Sequence, residues 1–410
     1  MNDSALGLDG LLGWSQARLV AYSAGRPLPF ARARLDEASG SLLGESLVSL
    51  VDDPSVDVAE FDGYAVCAGG PWTVTELIPE VALSPHYAIK VRAFEPIPPH
   101  ADAVLPMEQS VVETDADVAT LIARDALNGT PDENARPDFG AGIIRQAAIA
   151  AAGHELVPAD TLITPQVISL AAAAGYDHLT ICPPPVVTTL VIGTSLLDRG
   201  MPRGDRVRDA LGLTIPAFVG LLGARGNPPV RAPETRELLL QEIDDSTADL
   251  IITTGSTAPG GNNLLRNVLR DLAAHWLIDG ITLTPGAQVL LARLPDGRLL
   301  LGLPGDPRNA LAALITVAPP LIAGLRGEKW QESTATAVLI EEAPLPDYAE
   351  DSTIVPIVVH VSAAGRTATP LVSHGPAGLA GWAQATDFAV IPPGSGAPGD
   401  VVPTISVIGT

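Results

Sequence analysis

Apolar residues recur at helical spacing from Leu11 to Ala24 and stop before Gly25-Arg26-Pro27, which predicts a helix followed by an extended connection. The period then shortens. Ser41 to Val51, Phe61 to Cys67 and Thr73 to Thr114 read as short β-like runs punctuated by proline, and together they predict a small β domain. Asp115 to Asp132 carries no clear period, and Gly140 to His154 is rich in Ala and Ile. Thr164 to Gly175 reads as a second helix, with Pro165 in its first turn and Gly175 just past its end. Pro183-Pro184-Pro185 holds the chain extended and marks a boundary.

Beyond that boundary the two periods alternate. Val186 to Ile192, Asp249 to Thr254 and Leu299 to Leu303 read as buried strands, and Asp209 to Leu222, Leu264 to Ala274 and Pro307 to Leu325 as helices, the last closed by Gly327. The succession predicts βαβ units and a parallel sheet. Ser333 to Thr410 shows short strands, many Gly and Pro turns, and one helical stretch from Gly378 to Ala385, the pattern of a β module of barrel size. The expected division has four parts: an elongated linker domain from 1–50 with 136–183, a small β domain at 51–135, the α/β domain at 184–328 and a C-terminal β domain at 329–410.

Composition narrows the partners. With 47 acidic residues against 24 Lys and Arg, and no basic cluster to neutralise a run of phosphates, nucleic acid is not an expected partner. An anionic small ligand would have to be held by local arginines, backbone N–H groups or a cation, because the net charge of -23 opposes it. The apolar stretches at Ala147 to Ala152 and Ser169 to Gly175 fall short of the roughly 20 residues a bilayer requires. Only Cys67 and Cys182 are present and MNDSALGLDG lacks a signal-peptide pattern, so the cytoplasm is the expected compartment.

Four runs are candidates for chemistry. Phe61-Asp62-Gly63-Tyr64-Ala65-Val66 reads on its own as a tight turn into a strand, with Gly63 supplying an unusual backbone angle and Tyr64 filling a core. Glu95-Pro96-Ile97-Pro98-Pro99, leading to Asp102 and Glu108, reads as a rigid connecting loop. Thr253-Thr254-Gly255-Ser256-Thr257-Ala258-Pro259-Gly260-Gly261 follows a buried strand and precedes a helix, the position where α/β proteins hold phosphates through backbone N–H groups. It lacks the spacing and lysine of a P-loop, so a nucleotide hydrolase is not indicated. Gly302-Leu303-Pro304-Gly305-Asp306-Pro307-Arg308-Asn309 is a second such strand end, where Asp306 is either a helix cap or a functional carboxylate.

Together and in this order, the runs resemble the molybdopterin molybdenumtransferase family, the MoeA and gephyrin E-domain group. FDGYAV resembles its Asp-Gly-Tyr-Ala motif, EPIPPHADAVLPME its Pro-rich loop, TTGSTAPGG its Gly-rich loop and GLPGDPRNAL its Gly-Leu-Pro-Gly-Asn-Pro run. The resemblance implies a multidomain α/β fold: a central three-layer α/β domain with a parallel sheet, like the molybdopterin adenylyltransferases. To it the family adds a small β domain, a helical and extended linker domain and a C-terminal β-barrel-like domain, in a homodimer. The implied reaction inserts molybdate into adenylylated molybdopterin with Mg²⁺ and releases AMP. Carried over, Asp62, Asp209 and Asp306 become catalytic; Arg208, Thr254, Gly255, Ser256, Gly260, Gly261, Pro304 and Gly305 hold the pterin nucleotide; Asp198 and Asp205 are the acids left for a metal.

Several family positions differ. The run Ser-Thr-Gly-Asp-Glu-Leu is here Gly193-Thr194-Ser195-Leu196-Leu197-Asp198, with leucines for both acids. The Gly-rich loop continues Gly261-Asn262-Asn263 where a carboxylate is usual, and Lys-Pro-Gly-Lys-Pro is Thr284-Pro285-Gly286-Ala287-Gln288. Leucine cannot ligate Mg²⁺. Three functions therefore stand: a molybdenum-inserting enzyme, a non-catalytic homologue that binds a pterin or nucleotide, and a scaffold without ligand.

Overall fold

The computed structural model describes residues 11–76, 81–115, 118–125, 129–134, 136–232, 234–259, 263–331, 335–346, 350–363 and 365–406. Within them the helices are α1 (Trp14–Ala24), α2 (Pro165–Ala173), α3 (Leu211–Leu221), α4 (Arg236–Asp245), α5 (Leu264–Asp271), α6 (Pro307–Arg326) and α7 (Ala380–Gln384). The chain divides into two units, one of residues 11–33, 38–44 and 180–406, the other of residues 34–37 and 45–179.

In the first unit the longer strands of the α/β sheet are β1 (Val186–Ile192), β2 (Val230–Ala232), β3 (Leu250–Thr254), β4 (His275–Asp279), β5 (Leu290–Arg293) and β6 (Leu299–Leu303), and the two-residue Arg225–Gly226 also pairs with β1. Their order is β2-β1-β3-β6-β5-β4. The first four run parallel as expected, while β5 and β4 add an antiparallel end. Side chains alternate between faces along each strand. Leu250, Ile252, Leu299 and Leu301 pack with Ile215 of α3 and Leu314 of α6. Ile251 and Leu300 pack on the other side with Leu239 of α4 and Leu265 of α5. The result is three layers. Helix α4, not foreseen from the pattern, buries only Leu239 and Ile243, one turn apart, so its polar surface hides the period.

Helix α6 is the spine of this core, with fifteen of its 20 residues buried. Asp306 caps it, Pro307 occupies its first position and Gly327 ends it at φ 75°. Helix α1, expected with the linker segments, lies instead along α6 through the small face of Ala17, Ala21 and Ala24. The approach leaves no room for side chains: a Cβ added at Gly25 would sit 2.5 Å from the Leu321 carbonyl oxygen, and one at Gly324 would sit 2.4 Å from that of Tyr22.

The C-terminal strands Ser352–Ser362, Gly365–Pro370, Thr336–Leu339, Val401–Ile405 and Asp387–Ile391 pair in that order, and the last returns to the first. Closure of the ring leaves no unpaired edge within it. Ala337, Leu339, Ile357, Ala368, Ala389 and Val402 fill its interior.

The second unit holds a sheet ordered 110–115, 118–124, 72–74, 87–91, 63–66, 103–106. The segment without a clear period contains Val118–Arg124, paired with Ser110–Asp115, because three successive buried residues, Leu121 to Ala123, replace alternation. Tyr64 fills the core as expected. Gly63 does not have a positive φ; it is needed because an added Cβ would lie 2.2 Å from the Leu105 carbonyl oxygen. Asp52 and Asp57 tie the segment after Gly142 to this unit. Asp52 accepts from Gln146 Nε2 (2.8 Å) and Ala152 N–H (2.9 Å), and Asp57 from Arg145 Nη1 (2.6 Å) and Gln146 N–H (2.8 Å).

Candidate functional site

Parallel strands β1, β3 and β6 end side by side, and the loops after them must leave the sheet in the same direction. Gly255 follows β3 at φ 88° and Ser256 at 56°, both left-handed, a conformation a Cβ makes costly at 255, where it would lie 3.3 Å from the Ile192 carbonyl oxygen. Gly255 N–H donates to the Leu303 carbonyl (2.8 Å), and a Cβ at Gly305 would lie 3.5 Å from Gly255 Cα. The two Gly loops foreseen in the sequence therefore abut. Asn263 caps α5 and its Nδ2 donates to the Ala258 carbonyl (2.8 Å), while the buried Arg266 donates from Nε to the Thr257 carbonyl (3.2 Å). Gly260 and Gly261 lie outside the described residues.

Beside these loops is a cavity of about 650 Å³. Of the sequence candidates, Arg208, Asp209, Thr254 and Gly305 line it. Arg208 Nη1 donates to the Leu197 carbonyl (3.3 Å), and among the described residues no carboxylate pairs with it. A guanidinium facing a cavity in a chain this acidic is a receptor for an anion. The rest of the wall is largely apolar, with Leu196, Pro202, Val207 and Leu379. Glu234, also on the wall, accepts from Thr194 N–H (3.3 Å) and holds the loop after β1.

The acids fall into place differently from their sequence roles. Asp209 is 8 % exposed; its Oδ1 accepts the Leu211 and Gly212 N–H groups, both at 3.0 Å, at the start of α3, and its Oδ2 meets Arg231 Nη2 at 3.1 Å. Asp306 caps α6 through Asn309 N–H (2.9 Å) and also accepts from Asn309 Nδ2 (2.8 Å). Asp198 is held by Arg231 Nε at 2.7 Å and by Nη2. Asp205 is exposed and makes no ion pair among the described residues. Pro304 is buried behind Gly305, and Ser256, half-buried, makes no side-chain hydrogen bond among the described residues. Asp62, in the other unit, accepts from Ala93 N–H (2.9 Å) and is exposed.

A divalent cation does not fit these residues. Among the described residues no three His, Cys, Asp or Glu side chains come together; Asp198 and Asp209 face the same arginine, and Glu234 is engaged by Thr194. Sequence reasoning missed Arg231 and Glu234. Arg231 sits on the three-residue strand β2, too short to show a period, and Glu234 belongs to no motif.

A second cavity, of about 580 Å³, includes Thr284, Arg308, Asn309 and Ser373 in its lining. Asn309 Oδ1 accepts the Gly286 N–H (3.0 Å), so the α6 cap extends into the segment where the lysines were expected. Arg308 is exposed and has no ion-pair partner among the described residues.

The family profile of the MoeA N-terminal region (domain I and II) matches residues 16–175, and that of a probable molybdopterin binding domain matches residues 188–324. The molybdopterin molybdenumtransferase of Bacillus subtilis (strain 168) is 25% identical over 389 residues, covering 88% of this chain and 85% of that one. The enzyme of the same name from Staphylococcus epidermidis is 24% identical over 313 residues, covering 72% and 71%. In fold, the chain is similar to a molybdopterin biosynthesis MoeA protein from Pyrococcus horikosii, with a TM-score of 0.75 at 20% identity over 98% of this chain and 100% of that one.

Proposed function

The chain belongs to the MoeA family, and on that premise we propose that it serves molybdenum cofactor biosynthesis, its α/β pocket taking a molybdopterin nucleotide and the chain delivering molybdate to it. The observation that carries the pocket assignment is Arg208: a cation without a carboxylate partner among the described residues, facing a cavity at the carboxyl ends of parallel strands. Its guanidinium holds a phosphate. Thr254 and the exposed backbone of Gly305 lie where phosphate oxygens approach two abutting loops, and Leu196, Pro202, Val207 and Leu379 supply apolar wall for a flat ring. Arg308, the cation remaining near Thr284 and Pro285, is the group this proposal assigns to the molybdate oxyanion.

With Asp198 and Asp209 bound to Arg231 and Glu234 engaged by Thr194, no step is assigned to a metal ion, and none to Asp209 or Asp306 as a proton carrier. Their work is to fix the first turns of α3 and α6, which support Arg208 and Gly305. A second reading, a homologue that binds the pterin nucleotide without cleaving it, is favoured by Leu196 and Leu197 and by the engagement of Asp198 and Asp209. The proposal also takes the protein as a cytoplasmic homodimer; two buried cysteines that are not joined in a disulfide support a reducing compartment. The deciding experiment is calorimetric titration with molybdopterin-adenylate followed by assay for AMP after adding molybdate. Binding with AMP release supports insertion, binding without release supports the second reading, and absence of binding overturns both.

A further inference from the structure

We infer that Arg231 stands in the place of a divalent cation at the α/β pocket, so that a nucleotide phosphate is held there without Mg²⁺. Its ligand rests on the pterin-nucleotide reading above; its statement about the cation does not. Where the family pattern puts two acids after β1, Leu196 and Leu197 stand, and Leu196 presses on Gly193, at which an added Cβ would lie 2.9 Å from Leu196 Cδ1. Asp198 and Asp209 come from separate turns and converge on one guanidinium, Asp198 on Nε at 2.7 Å and Asp209 on Nη2 at 3.1 Å. The other oxygen of Asp209 already accepts two backbone N–H groups.

Mg²⁺ demands about six oxygens at close range in near-octahedral order, and a carboxylate pair filled by a guanidinium offers none of the required geometry. Arginine carries its positive charge at every accessible pH and presents donors in a fixed fork, so it neutralises two acids without any ion being recruited. Only about a third of the Arg231 side chain is exposed, and its Nη1 is buried with no hydrogen-bond partner among the described residues, which leaves two N–H donors over. Arg208 lines the pocket beside Asp209, whose carboxylate is bound by Arg231, and Glu234, the other acid on the wall, is engaged by Thr194.

Mn²⁺, read by the loss of its free-ion EPR signal, tests the cation directly on the full chain. Wild-type protein is expected to leave Mn²⁺ free up to millimolar concentration, and R231Q to gain a site, tighter by at least about tenfold, that the double variant R231Q/D198N loses. A wild-type site abolished by D198N overturns the inference; Asp198 is exposed, so that variant keeps its fold. So does an R231Q protein with wild-type circular dichroism and melting that gains no Mn²⁺. A wild-type Mn²⁺ site that D198N leaves intact but E234Q abolishes overturns it as well, since Glu234 lines the pocket. In a second arm, AMP is titrated in EDTA and in Mg²⁺: equal affinity within about twofold supports the inference, and binding only with Mg²⁺ overturns it. AMP that binds under neither condition counts against the nucleotide reading, while the Mn²⁺ result still decides the cation.

Discussion

At Arg208 the cation is held by one backbone carbonyl and nothing else within the described residues, so most of its hydrogen-bonding capacity is left for a ligand. Replacing it with alanine should weaken AMP or molybdopterin-adenylate binding by about tenfold to a hundredfold, the range of a charge-assisted hydrogen bond, with unchanged melting. Calorimetry reads the first and a thermal scan the second. Asp306 makes the opposite prediction. As the cap of α6 it should cost about 1 kcal/mol when changed to alanine and far less when changed to asparagine, which still accepts the Asn309 N–H; denaturant unfolding compares the two. The glycines at 255 and 305 and the cap at Asp306 were legible because turns demand particular residue types. Arg231 was not, because nothing in a local stretch of sequence says which distant acid a long side chain will reach.

Between elements, the tightest contact is that of α1 with α6. Gly324→Ala would place a methyl group 2.4 Å from the Tyr22 carbonyl oxygen, and the two helices must part to admit it. A loss of roughly 1–3 kcal/mol is expected from denaturant unfolding, as for other overpacked cores. Helix α1 was readable as a helix from its period, but its partner lies about 300 residues on and leaves no local trace. In the other unit, Asp52 is held below the usual carboxylate range by the Ala152 N–H and Gln146. Burial tends to raise Asp57, but the Gln146 N–H and Arg145 outweigh it and hold that carboxyl down as well. Folded-state values below the unfolded ones mean stability that is present above the ordinary range near about 4 and is lost as acid protonates both groups. Thermal scans from neutral pH into acid should show wild type falling faster than D52N/D57N, the two converging at the acid end. Parallel curves would show that these carboxyls do not couple to folding.

For the whole chain, the charge of -23 implies self-repulsion in the folded state. Raising salt from about 20 to about 200 mM should raise the melting temperature, since the screening length shrinks to below about 10 Å over that range. The order of strands and helices from Val186 to Arg326 was visible because buried parallel strands and amphipathic helices have different periods. The C-terminal barrel was legible in its short strands and Gly and Pro turns, while the antiparallel pair β4 and β5 was not, since no pairing partner is written in any single segment. Among the described residues one helix, α6, is long and apolar enough by length and composition to cross a bilayer, yet 78% of its most apolar window is buried among its neighbours. While the chain is still being made, such a segment is a hazard until something covers it. Helices α1 and α3 and strands β1, β3 and β6 all precede it in the sequence. A ribosome therefore releases α6 into company already synthesised, and its greasy surface can be claimed by the sheet before membrane-insertion machinery or another nascent chain finds it.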